Sequence, residues 1–224
     1  MAGTKLDAGV PLPVVGYSVG MSDAAHWDSV YSARAPEALT WYQETPHTSL
    51  RLIEEAGLPP TAQLLDAGAG ASTLVDLLLE RGYEAITAVD LSAEALAKSR
   101  ARLGAAADRV QWIVGDLRAP LPLPEVSLWH DRAVFHFLIE ADDRQAYLEQ
   151  LKSRLRPGGG LVLSTFAADG PERCSGLPAQ RYSEASLVEA LGPSFRLEEA
   201  LTETHPTPAG ATQRFLYARF TFCP

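Results

Sequence analysis

Cysteine is scarce in this sequence: only Cys174 and Cys223 occur in 224 residues. That excludes a disulfide framework and a thiolate zinc site, which needs about four ligands at short spacings. Each cysteine reads as a lone thiol. Basic residues are also few, with 19 Lys and Arg against 28 Asp and Glu, a formal charge of −9 and a pI near 5.0. No basic stripe runs along the chain, so no nucleic-acid partner is expected. No run approaches the ~18 consecutive apolar residues of a membrane span, and residues 1–7 lack the charged-then-apolar order of a signal peptide. A soluble cytoplasmic protein without membrane contact is expected. Repeats and low-complexity tracts are missing too. An apolar content of 46% with 21% charged residues fits a globular chain, read here as one domain spanning 1–224.

What the chain does have is a glycine turn between two apolar stretches. Gln63-Leu64-Leu65-Asp66-Ala67-Gly68-Ala69-Gly70-Ala71-Ser72 begins as a buried-strand pattern, passes through glycines that follow an acid, and runs into helical spacing over 73–80. Gly68 and Gly70 have no Cβ, so they tolerate positive φ and let a ligand approach the backbone, toward which the helix-start amides point. The spacing is Asp-x-Gly-x-Gly; Leu74 stands where a dinucleotide fingerprint has its third glycine. An acid before the turn repels a pyrophosphate and attracts an ammonium. The bland alternative is a plain strand-to-helix turn of an α/β domain.

Upstream, residues 1–20 read as an irregular arm and 21–57 as a helical lid ahead of a core over 60–224. Trp27 and Tyr31, four apart, share a helix face; they either pack on the core or close over a ligand. Apolar spacing over 50–56 predicts a helix that Gly57-Leu58-Pro59-Pro60 stops. Downstream, strand patterns over 85–90, 110–114 and 126–131 end in or run up to Asp90, Asp116 and Asp131. Helices are expected over 92–103 and 183–191, with Ser92 and Ser183 as caps, and over 142–155. A fifth strand over 161–166, a functional loop over 167–182 and an antiparallel hairpin of 195–203 with 213–222 complete the chain. Alternating strands and helices predict an α/β fold, mostly parallel, with helices on both faces. Ligands of such sheets bind beyond the carboxyl ends of the strands, so Asp66, Asp90 and Asp116 should face one crevice. Asp90, 24 positions past Asp66, is placed to hold a ribose diol.

The set Leu65-Asp66-Ala67-Gly68-Ala69-Gly70, Ala88-Val89-Asp90-Leu91-Ser92, Gly115-Asp116-Leu117 and Leu155-Arg156-Pro157-Gly158-Gly159 resembles the motifs of class I S-adenosylmethionine-dependent methyltransferases. The resemblance implies a Rossmann-like, seven-stranded sheet, S-adenosyl-L-methionine as cofactor and S-adenosyl-L-homocysteine as product. It implies that Asp66, Gly68 and Gly70 approach the methionine portion, that Asp90 with Leu91 holds the ribose, and that Asp116 with the Leu117 amide reads the adenine. Trp27, Tyr31 and Asp131 complete the expected cofactor site. Trp129-His130-Asp131-Arg132-Ala133, with Asp143-Arg144-Gln145-Ala146-Tyr147, is similar to the Trp-Asp-Arg-Gly-Ala and Asp-Arg stretches of thiopurine and related thiol methyltransferases. It departs from them by inserting His130 and by carrying Ala133 in place of glycine.

That second likeness implies Arg132 beside an acceptor sulfur, where a guanidinium favours the thiolate. An amine or hydroxyl acceptor needs a base instead, for which His130 or His136 is available with Asp131 as orienter. His136 reads also as a core histidine and Asp131 as a helix cap. The two histidines lack a third ligand, so no metal is expected. The expected function is methyl transfer to a small molecule, a thiol or sulfide first, by a monomer or weak homodimer. Its rivals are a protein lysine methyltransferase, a non-catalytic S-adenosylmethionine-binding module and a synthase using the decarboxylated cofactor.

Overall fold

Strand alternation sorts the buried apolar side chains onto two faces of one sheet. The computed structural model describes residues 21–224, and the arm expected over 1–20 lies outside the described residues. Strands β1 (Gln63–Ala67), β2 (Ala85–Asp90), β3 (Val110–Val114), β4 (Val126–Arg132) and β5 (Leu155–Ala167) pair in parallel. Neighbours along a strand point to opposite faces. Leu64, Ala88 and Leu128 therefore join one cluster with Leu52, Ile53, Leu78 and Leu96, supplied by α2 (His47–Glu54), α3 (Leu74–Glu80) and α4 (Ala93–Leu103). Leu65, Val89 and Trp129 join the other with Leu151 and Leu187, supplied by α5 (Ala141–Arg154) and α6 (Glu184–Leu191). Helices on both faces are why these strands read as continuous apolar runs.

The strand order is β3-β2-β1-β4-β5-β10-β9, with β9 (Phe195–Pro206) and β10 (Thr212–Phe222) forming the closing antiparallel hairpin. The order reverses between β1 and β4, which opens a crevice above their carboxyl ends. Ser92 caps α4 by accepting the Ala95 amide at 3.1 Å, and Ser183 caps α6 in a reciprocal pair with Ser186. Ahead of the sheet, α1 (Met21–Ala33) packs against α4.

Two stretches fold differently from the sequence expectation. β5 starts at Leu155: Leu155 pairs with Val126, the register slips, and Leu128 then pairs with Gly160. The segment 167–182 is not a plain loop. It forms a hairpin of β6 (Arg173–Cys174) and β7 (Leu177–Pro178), and then β8 (Arg181–Tyr182) joins β5 as an eighth strand. The turn residues Ser175 and Gly176 have φ of 49° and 81°, the backbone of a two-residue hairpin turn for which Ser-Gly is a usual signal.

Candidate active site

The crevice encloses a cavity of about 340 Å³. Its floor is the glycine turn after β1, where Gly68 has φ 67° and Gly70 has φ 54°. A Cβ on Gly70 would collide with the Tyr31 hydroxyl, and one on Gly68 with the Val134 side chain, so both positions need glycine for space as well as for φ. The Gly70 amide donates to Asp90 Oδ2 and the Ser92 amide to Asp90 Oδ1, each at 2.8 Å. Both carboxylate oxygens keep a lone pair for a ligand hydroxyl. Burial pushes the Asp90 carboxyl up to about 6; the Ser92 and Gly70 amides oppose this, while the charges of Asp66 and Asp28 add to it.

Asp66, Asp90 and Asp116 line this cavity, as the strand-end pattern predicts, and so do Trp27, Tyr31, Gly68, Leu91, Leu117, His130 and Arg132. Gly70 lies just behind, acting through its amide. Asp66 Oδ1 is 2.7 Å from His130 Nδ1, and His130 Nε2 is 2.9 Å from Ser49 Oγ; Asp66 Oδ2 is buried without a hydrogen-bond partner among the described residues. Asp116 meets the side chain of Arg118, which donates from Nε at 3.0 Å to each oxygen and from Nη2 at 2.7 Å, while Nη1 reaches Asp143 at 3.3 Å. Sequence reasoning missed Arg118, Ser49 and Trp41. Only Arg118 had a local signal, an opposite charge two residues past the strand-end acid.

Two further expected site residues lie outside the cavity. Asp131 is fully buried on the α5 face, because residues 130 and 131 of β4 point opposite ways. It accepts the Tyr147 hydroxyl at 2.6 Å and the Val134 amide at 2.9 Å, so its cap reading replaces its catalytic and cofactor roles. His136 is buried between Phe137 and Phe166, with ring centroids 4.4 and 4.6 Å away, and its Nδ1 accepts the Phe166 amide at 3.3 Å. Burial, with help from the Arg132 charge, pushes its pKa down to about 3. A histidine so placed is a core residue, which corrects its reading as a base. His130 does face the cavity, yet both its ring nitrogens are engaged.

Arg132 is held rather than free to swing. Its Nε donates to the Tyr217 hydroxyl and its Nη1 to the Trp41 carbonyl, each at 2.8 Å, and the guanidinium sits 4.8 Å from the Phe215 ring centroid. Its Nη2 is buried with no hydrogen-bond partner among the described residues. The following residue, Ala133, has φ 74°, a left-handed conformation that L residues avoid and that the thiol-methyltransferase pattern meets with glycine. The β6–β7 hairpin brings Cys174 to the same cavity, where burial pushes its thiol up to about 12 against the Arg132 charge. That thiol is inert at neutral pH. Trp27 closes the aromatic wall, its ring 5.8 Å from Trp41 and 5.2 Å from Phe137.

A doubly wound sheet ending in an antiparallel hairpin, with acids at three strand ends around a glycine turn, has the fold of the class I, Rossmann-like methyltransferases, enzymes whose cofactor is S-adenosylmethionine. The residues fit that cofactor, because a buried, unpartnered carboxylate oxygen calls for a cationic ligand. Within the chain, residues 64–159 match the family model for a methyltransferase domain. Among curated proteins, trans-aconitate 2-methyltransferase of Azoarcus sp. is 33% identical over 126 residues, covering 56% of this chain and 47% of that one. Malonyl-[acyl-carrier protein] O-methyltransferase of Enterobacter lignolyticus is 37% identical over 110 residues, covering 48% and 40%. The chain thus spans about half the length of these curated relatives or less. A solved 1,6-didemethyltoxoflavin-N1-methyltransferase of Burkholderia thailandensis shares the fold, with a TM-score of 0.65 at 23% identity over 97% of this chain and 95% of that one.

Proposed function

We propose that this chain transfers the methyl group of S-adenosylmethionine to a small molecule whose nucleophile is anionic, a thiol or sulfide-type acceptor being preferred. The observation that carries this reading is the unpartnered Nη2 of Arg132. A buried guanidinium nitrogen without an acceptor is costly, and an incoming anion relieves it. Among the described residues the cavity offers no free histidine as a base, and its aspartates are taken here for the cofactor: His130 is engaged at both nitrogens, and His136 and Asp131 lie outside. An acceptor that is already ionised needs none. A thiol of ordinary pKa near 8.5 is partly thiolate at neutral pH, and the Arg132 charge favours that form. A second reading, a carboxylate acceptor, is favoured by the names of the two curated relatives, which speak of trans-aconitate and of a malonyl O-methyl transfer.

The cofactor, when bound, supplies an electrophilic methyl group on a sulfonium. Asp66 receives its ammonium, Asp90 its ribose hydroxyls, and Asp116 with the Leu117 amide its adenine; Trp27, Tyr31 and Leu91 wall it in. The helical segment 21–57 acts as the lid. Most of what these residues contribute is orientation and the exclusion of water. With labelled cofactor and panels of small thiols and small carboxylic acids, label should pass to one class. Arg132→Ala should lower kcat/KM about 100-fold while cofactor affinity stays within about a factor of two. Label found only in protein bands of a lysate would sink the small-molecule reading, and an unaffected Arg132→Ala would remove the arginine from it.

A further inference from the structure

Asp66 and His130 are Cα partners in the parallel pairing of β1 with β4, and alternation puts both on the face that α2 covers. Ser49 of α2 reaches the pair from above. All three side chains are buried, and all three border the cavity. Facing a carboxylate, Nδ1–H donates to Asp66 Oδ1 at 2.7 Å, and Nε2 lies 2.9 Å from the Ser49 hydroxyl, which can serve as either donor or acceptor. The groups come in the order of a nucleophile, a base and its orienter, but Ser49 has no accessible surface for an electrophile to reach. What the chain of bonds does is fix the carboxylate. It holds one oxygen in place and leaves Oδ2 buried without a partner among the described residues.

We propose that His130 and Ser49 are positioning residues that hold Asp66 Oδ2 toward the amino-acid end of the bound cofactor. This rests on the cofactor reading above and adds two residues that reach the ligand only through Asp66. A lone carboxylate at a strand end can rotate and lose its preferred direction; one tied to an imidazole, itself tied to a helix, cannot. Partners of this kind commonly decide how well a charged side chain serves a ligand.

The test uses two ligands that differ at one end. S-Adenosylhomocysteine carries the amino-acid group, whereas 5′-methylthioadenosine lacks it and keeps the nucleoside. Calorimetry on the whole chain should show His130→Leu weakening S-adenosylhomocysteine about tenfold or more, the size of one hydrogen bond to a charged group. His130→Asn, which keeps a donor near the place of Nδ1, should recover to within about threefold, and Ser49→Ala should lose about threefold. The affinity of 5′-methylthioadenosine should not change in any variant. Equal losses for both ligands would mean general damage to the cavity and would overturn the proposal, as would unchanged S-adenosylhomocysteine affinity in Ser49→Ala and His130→Leu together. Ser49→Ala removes a single hydroxyl and keeps the question answerable should His130→Leu not fold. A wild-type chain that binds neither ligand defeats the cofactor reading itself, a different result from selective loss of the homocysteine end.

Discussion

Asp90 has the same neighbours in the chain whether folded or not, yet its carboxyl sits near 6 in the fold against an ordinary 3.8. The folded state therefore binds the proton more tightly than the unfolded chain. The stability this gives is fully present below about pH 4 and is lost as pH rises through about 6. Asp90→Asn is neutral at every pH. Relative to wild type it should gain on the order of 2 kcal/mol between about pH 4 and pH 7, on top of a constant cost for its amide nitrogen facing one backbone donor. Denaturant melts at the two pH values give the difference, and a constant gap would refute the shift. Cofactor affinity runs the other way, because the ionised carboxylate is the better acceptor for a ribose diol, so S-adenosylhomocysteine should bind more weakly below about pH 6. At this scale the sequence was informative about Asp66, Asp90, Asp116 and Arg132, because an acid or base at a strand end has a fixed place. For Asp131 and His136 it offered a site role beside a cap and a core reading, and the structure shows the cap and the core contacts. Both lie within five residues of Arg132, but one points across the sheet and the other turns into the core.

At the scale of elements, α1 is held by the packing of Tyr31 on Ala71 and Ala95 and by the side chain of Asp28. Asp28 Oδ1 accepts the Ser92 hydroxyl at 2.6 Å and the Glu94 amide at 3.3 Å, pinning α1 to the start of α4 beside Asp90. Asp28→Ala should loosen this contact and raise the dissociation rate of S-adenosylhomocysteine by about three- to tenfold, with global stability changed by no more than about 1 kcal/mol. Stopped-flow displacement measures it; an unchanged off-rate would show that α1 does not control release. The strands, helices and serine caps were legible because hydrophobic period and capping chemistry are local. The β6–β7 hairpin was less so. Its signal, Ser175-Gly176, is short, and the flanking residues carry no strand alternation, so only its docking against the cavity shows what the segment does.

For the whole molecule, a ligand that binds only the folded chain stabilises it in proportion to RT ln(1 + [L]/Kd). At about 100 times Kd this is about 2.7 kcal/mol, and a chain of this size should melt about 5–10 °C higher. S-Adenosylhomocysteine should produce such a shift, dependent on its concentration; its absence would count against the cofactor assignment. The sequence by itself determined the alternation of strand and helix, the glycine turn, and the register of acids along one sheet edge, because these follow from periodicity and from the backbone freedom of glycine. The tertiary structure alone decided which of those groups meet. It brought Ser49 from α2 onto a histidine 81 residues away, joined Arg118 to Asp143, and left one nitrogen of Arg132 and one oxygen of Asp66 without partners among the described residues. Such unpaired atoms depend on where separate elements pack. No window of sequence contains both sides of those contacts.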